Sequence, residues 1–181
     1  MKPTMTDGLT LEDGAKIAVI GGGPSGSFFS YFALKMAKMV GKELSVTIFE
    51  SKDFTKTGPA GCNRCGGIIS ELLLQTLAVE GINLPETVVR KGIDSYRLHT
   101  KYGSVSISTP ALDKTIATVY RGGGPKGASG TDKQSFDHFL LEQAIQEGAV
   151  HQPCLIDRLA YRNGRPVLYS RNQELMDADL V

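Results

Sequence analysis

Residues 16–26 (Lys-Ile-Ala-Val-Ile-Gly-Gly-Gly-Pro-Ser-Gly) constrain what this chain can fold into more than any other stretch. An apolar run of strand length feeds directly into a G-x-G-x-x-G turn, with Gly21, Gly23 and Gly26 at the required spacing. Gly21 permits the tight turn, Gly23 lets the backbone approach a pyrophosphate, and Gly26 lets the next helix pack close to the strand. Free N–H groups at the N-terminus of the following helix face the phosphates, and Pro24 and Ser25 of the turn count with the glycines and Glu50 as cofactor-binding candidates. The surroundings complete the pattern. A helix is predicted over 27–40, a second strand over Leu44–Phe49, and Glu50 stands at that strand's end with Ser51 beside it. A carboxylate there accepts hydrogen bonds from ribose hydroxyls. The competing reading is a glycine-rich turn that binds nothing, and the full strand–turn–helix–strand–acid context favours the dinucleotide site.

Bulk properties narrow the class. The chain has 181 residues, enough for one domain or one and a fraction. Hydrophobic residues make up 41% and charged residues 22%, as in ordinary globular proteins. Twenty basic against nineteen acidic residues leave a net charge of +1, so no basic field is available for nucleic acid. No apolar run approaches the roughly 20 residues needed to span a bilayer, and residues 1–13 lack the apolar segment of a signal peptide. Three cysteines, an odd number, argue against a disulfide scaffold and for a reducing, cytoplasmic setting.

Further along, residues 51–67 read as a loop rich in Gly, Pro, Thr and Lys. Residues 68–80 have a helical pattern with an apolar stripe of Ile69, Leu72, Leu73, Leu77 and Ala78, ended by Gly81. From Val88 to Tyr120 the reading changes to strands, at 95–100, 104–108 and 117–120, the first two joined as a hairpin by Lys101-Tyr102-Gly103. A glycine-rich loop covers 121–132, and an amphipathic helix covers 134–147, ended by Gly148. Short strands are expected at 149–152, 155–162, 166–170 and 179–181. In the first helix, Phe28, Phe29, Phe32, Leu34 and Met36 are expected to be buried against the sheet.

Four segments carry a family resemblance. The turn Gly21 to Gly26, the acid Glu50, the run Cys62-Asn63-Arg64-Cys65-Gly66-Gly67, and Ser135-Phe136-Asp137-His138-Phe139-Leu140-Leu141 with its closing Glu147-Gly148-Ala149 together resemble flavin-dependent oxidoreductases of the geranylgeranyl reductase type. These share a fold with para-hydroxybenzoate hydroxylase and are related to electron-transfer-flavoprotein:quinone oxidoreductases. The last segment resembles a helix written R-x-x-F-D-x-x-L. Its basic position carries no arginine here, with Lys133 read as offset and Gln134 as polar.

The resemblance implies an α/β fold: a Rossmann-like FAD-binding domain with a parallel sheet, plus part of a second, mostly antiparallel substrate-domain sheet. Residues 1–85 and 122–181 would form the FAD-binding domain and residues 86–121 the partial substrate sheet. It implies FAD as cofactor, NAD(P)H as one electron donor, and reduction of carbon–carbon double bonds in a prenyl-type, lipid-like substrate. A quinone-linked dehydrogenase and an aromatic hydroxylase are alternatives on the same fold. A nucleotide-binding fragment without activity is the alternative outside the enzymes. Family members continue past a strand like residues 178–181 into a Gly-Asp motif that this sequence does not contain, so the chain reads as a front portion. Self-association through unpaired strand edges is expected, and peripheral membrane contact stays open.

Two loops bear on the chemistry. Cys62 and Cys65 form C-x-x-C, which can be a redox dithiol, half of a zinc site, or two reduced loop thiols. With no second pair and with Cys154, His99, His138 and His151 scattered, no metal site is expected. The resemblance implies a loop lining the flavin and substrate pocket, with Cys65, Gly66 and Gly67 as the catalytic set. In Tyr120-Arg121-Gly122-Gly123-Gly124-Pro125, consecutive glycines allow close backbone approach, and Arg121 could meet a phosphate or carboxylate. The alternative there is a plain connection between hairpin and helix.

Overall fold

A computed structural model describes residues 10–61, 66–108, 116–122 and 133–181. The chain divides into two compact units, one of Met1–Lys52 with Leu140–Val181 and the other of Asp53–Phe139.

The first unit is built on a parallel sheet. Strand β1 (Ala15–Ile20) and strand β2 (Leu44–Phe49) pair in parallel, Ile17 opposite Val46 and Val19 opposite Ile48. Both are apolar and largely β-branched, which suits a sheet covered on its faces. Helix α1 (Pro24–Met39) makes the crossover between them. It buries Ser27, Ser30, Leu34 and Ala37, whereas Phe29 and Met36 are exposed. The expectation that the aromatic cluster is buried is therefore corrected. Of the five residues singled out, only Leu34 is buried. A helix that starts at a close glycine contact lies too near the sheet for rings, so small residues take the inner face and bulky ones go to the flanks.

Strands from residues 150–181 add to this unit. Residues Val150–Gln152 form a short strand parallel to β2 on its other edge, and Leu180 bridges Ile17 on the free side of β1. Residues Arg158–Arg162, Arg165–Ser170 and Gln173–Asp177 make an antiparallel meander. Its first turn is Asn163-Gly164 and its second Arg171-Asn172, all four at positive φ, the two-residue geometry that matches strand twist. Leu168 and Ala178 pack with Ala18 and Phe49 in one buried cluster. The third meander strand, Gln173–Asp177, is absent from the sequence reading, because Arg171-Asn172 carries neither Gly nor Pro to mark a turn. The strand expected over 155–162 begins only at Arg158, and that over 179–181 reduces to the single bridge at Leu180.

In the second unit, β3 (Ile68–Ser70), β4 (Val89–Ile93) and β7 (Ile116–Val119) form an antiparallel sheet in the order β3-β7-β4. A separate hairpin joins β5 (Ser95–Thr100) to β6 (Gly103–Ser108), Tyr96 opposite Ile107 and Leu98 opposite Val105; Gly103, expected in the turn, is the first residue of β6 and pairs with Thr100. The helix read over 68–80 is shorter, α2 (Glu71–Val79). Ser70 is the reason: its hydroxyl accepts the Leu73 N–H (3.2 Å), so it caps the helix and leaves Ile68 and Ile69 to pair with β7. Helix α3 (Phe136–Glu147) starts two residues later than expected, since the Gln134 and Phe136 N–H groups donate to Thr87 and Tyr120 carbonyls. With the short strands of the first unit numbered β8 (Val150–Gln152) to β11 (Gln173–Asp177), the fold is mixed α/β with one parallel sheet and several antiparallel ones.

Candidate dinucleotide site

The glycine turn lies between β1 and α1, at the carboxyl ends of β1 and β2, and Glu50 follows the last residue of β2. This is the edge at which open α/β sheets take ligands. Gly21 has φ +106, a conformation that L side chains rarely adopt, and its N–H donates to the Phe49 carbonyl (2.8 Å). Gly26 is demanded by contact instead: a Cβ there would overlap the Gly21 carbonyl oxygen. The turn, the strand and the helix thus meet at backbone distance.

Glu50 is tied into this turn. Its Oε2 accepts the Gly22 N–H (3.0 Å) and its Oε1 accepts the Lys52 N–H (2.8 Å). The carboxylate is held in place by backbone donors before any ligand arrives. Each oxygen retains a second lone pair, so capacity remains for two ribose hydroxyls. Ser51, next in sequence, is exposed. At the start of α1, Gly23 is the N-cap residue and offers no side chain, and the first turn has no acidic residue. The helix leaves its first N–H groups without intrahelical acceptors and its positive dipole end uncovered. Donors for a diphosphate and an acceptor for a ribose diol therefore stand on one sheet edge, which is the donor set an adenine dinucleotide such as FAD requires.

Cys62, Arg64, Cys65 and residues 123–125 lie outside the described residues. Gly66 and Gly67 belong to the second unit. Gly67 has φ +69, and a Cβ on it would overlap the Val119 carbonyl oxygen, while its own carbonyl accepts the Val119 N–H (2.7 Å). That glycine is required by packing against β7. Arg121 forks onto Asp137, Nε to Oδ2 at 2.7 Å and an Nη to Oδ1 at 2.6 Å, with both side chains largely buried. The carboxylate it meets is the protein's own.

Lys133 stands three residues before Phe136. The R-x-x-F-D spacing is thus met with lysine in place of arginine, which corrects its reading as offset. Its ammonium donates to the Glu86 and Val89 carbonyls (2.7 and 3.3 Å). Burial pushes the Cys154 thiol up from its ordinary pKa, and the side chain is partly buried against the Ala18–Phe49 cluster. Among the described residues no group of three His, Cys, Asp or Glu side chains could hold a metal ion. No helix of the described residues is long and apolar enough to cross a membrane.

No protein-family model matches the chain, and no curated protein matches it. Solved structures do. The chain superposes on the halogenase PltM with a TM-score of 0.59 at 16% identity, covering 92% of this chain and 33% of that one. The two chains share a fold. PltM has also been solved in complex with phloroglucinol and FAD. The flavin-dependent brominase Bmp2 aligns with a TM-score of 0.56 at 16% identity, over 89% of this chain and 35% of that one. The Diels-Alderase PyrE3 of the pyrroindomycin pathway aligns with a TM-score of 0.53 at 13% identity, over 91% and 31%. The chain spans about a third of the length of the structures it matches. At these identities the likeness is one of fold, and it covers both units.

Proposed function

We propose that this chain is the nucleotide-binding portion of an FAD-dependent oxidoreductase acting on a small organic substrate. The observation that carries this reading is the brace between Glu50 and the glycine turn, Gly22 N–H to Oε2, which sets a ribose acceptor beside an uncapped helix start. Gly21, Gly23, Pro24, Ser25, Gly26, Glu50 and Ser51 form the cradle. Gly23 and the first turn of α1 hold the diphosphate, and Glu50 holds the adenosine ribose. Bound flavin supplies the electron and hydride chemistry, and the chain's residues supply binding and orientation. Glu50 also selects against a 2′-phosphate, since two anions at that distance repel. The cradle therefore favours FAD over NADP as its resident nucleotide. NAD(P)H enters this reading only as a diffusible donor.

Roles for Cys65, Gly66 and Gly67 near the flavin ring rest on the sequence resemblance alone, and a cofactor contact by Arg121 rests on its place in a glycine-rich loop. Reduction of a prenyl double bond likewise rests on the resemblance. The halogenases on this fold favour the aromatic-substrate alternative among the activities considered. Localisation in the cytoplasm and self-association belong to the same proposal.

Calorimetric titration of the purified chain with FAD tests the reading. Binding is expected, and E50R is expected to weaken it at least tenfold, about 1.4 kcal/mol, with a melting temperature near that of the parent. Absence of FAD binding, or equal affinity in E50R, would overturn it. Bleaching of bound flavin by NADPH under anaerobic conditions separates an enzyme from a nucleotide-binding module.

A further inference from the structure

Gly22 is held at both ends. Its N–H donates to Glu50, and its carbonyl accepts the Ser27 hydroxyl (2.9 Å). Ser27 follows the third glycine of the turn and is 1% exposed, so its hydroxyl must be satisfied within the protein. The acceptor it takes has a geometric consequence. A trans peptide is planar, and the C=O of one residue and the N–H of the next point in opposite directions. With the Gly22 carbonyl drawn in toward Ser27, the Gly23 N–H is turned the other way, out of the turn. Gly23 is the residue with no side chain in front of that N–H. The preceding peptide obeys the same rule: the Gly22 N–H reaches Glu50 while the Gly21 carbonyl faces Gly26.

We propose that Ser27 is a positioning residue of the dinucleotide site. Its hydroxyl fixes the Gly22–Gly23 peptide so that the Gly23 N–H is presented to the diphosphate of an adenine dinucleotide. Ser27 itself does not reach the ligand. This inference rests on the FAD reading above and adds the residue that orients its key donor. Ser30 provides a matched control. It is equally buried, and its hydroxyl donates to the Gly26 carbonyl (2.8 Å), one turn further along α1. The peptide it touches has its N–H, that of Ser27, already committed to the Gly23 carbonyl.

The test compares S27A with S30A. Titrations with ADP and with adenosine separate the diphosphate contact from the ribose contact. S27A is expected to weaken ADP and FAD roughly five- to tenfold, the scale of one misaligned hydrogen bond to a charged group, and to leave adenosine within about twofold. S30A is expected to keep parental affinity for all three. In ¹H–¹⁵N spectra of the ligand-free protein, the Gly23 amide moves in S27A and stays in S30A. In the parent, ADP moves the Gly23 amide and adenosine does not, a measurement that needs no variant to fold. Equal losses for ADP and adenosine, a matching loss in S30A, or a Gly23 amide indifferent to ADP would overturn the role of Ser27. A parent that binds neither FAD nor ADP would overturn the FAD reading itself, while the ligand-free Gly23 shift would still report whether Ser27 orients that peptide.

Discussion

Glycines do three different jobs in the turn from Gly21 to Gly26, and only some of them show in the motif. Gly21 is needed for its positive φ and has open space around it. Gly26 is needed for contact: besides meeting Gly21, an added Cβ would press on Val19 Cγ1 at 3.0 Å. G26A is expected to destabilise the chain by about 1–3 kcal/mol through overpacking. A urea titration showing an unchanged midpoint would mean that α1 can retreat from β1 at no cost. Gly22 occupies a position the G-x-G-x-x-G pattern leaves free, yet a Cβ there would come within 2.9 Å of Glu50 Cβ. Its requirement comes from a residue 28 positions away and is invisible to any local pattern. Ser27 belongs to the same group. A serine after the third glycine carries no signal by itself, and its meaning appears only when the acceptor of its hydroxyl is known.

Elements were legible where a local signal agreed with tertiary demand. The β5–β6 hairpin has alternation and a marked turn, and the two strands pair as a hairpin. The start of α2 is not legible locally, because helix periodicity in residues 68–70 competes with pairing to β7, a strand almost fifty residues later. At the start of α3, Asp137 is 2% exposed and forks with Arg121. Breaking a buried pair strands the other charge, so D137N is expected to lose about 3–5 kcal/mol, and R121M/D137L considerably less. Chemical denaturation of both variants checks this, and a double variant as weak as the single would refute it. In the meander, Arg162 of β9 pairs with Glu174 of β11 (2.8 Å) and holds the Glu174 carboxyl below its ordinary pKa. Because the folded value lies below the unfolded one, this pair stabilises at pH above the unfolded pKa. The contribution is lost as pH falls through the folded value. E174Q is expected to melt slightly below the parent at pH 7, and the gap is expected to narrow as the pH is lowered. Both side chains are exposed, so the effect is small and weakens with salt.

For the whole molecule, a groove of about 430 Å³ in the first unit is lined by Ile17, Phe29, Phe32, Met36, Val40 and Leu180 among others, with Met36 and Val40 largely exposed. Apolar patches of this kind favour association in water. Light scattering after size exclusion is expected to show species heavier than one chain at micromolar concentration. The pair M36E/V40K should shift them toward the monomer without loss of FAD binding, whereas a parent that stays monomeric throughout would contradict this. The amino-acid sequence by itself determined the parallel β1–α1–β2 unit, the turn at its carboxyl edge and the acid that follows β2. Each of these rests on short-range chemistry: apolar runs, glycine conformation and helix geometry within forty residues. Only the tertiary structure decided which face of α1 meets the sheet, that the end of the chain returns through Leu180 to flank β1, that Arg121 spends its guanidinium on Asp137, and that Glu50 and Ser27 clamp Gly22 from opposite sides. Those outcomes depend on distances between segments far apart in sequence, where closure of the chain, not local preference, selects the partner.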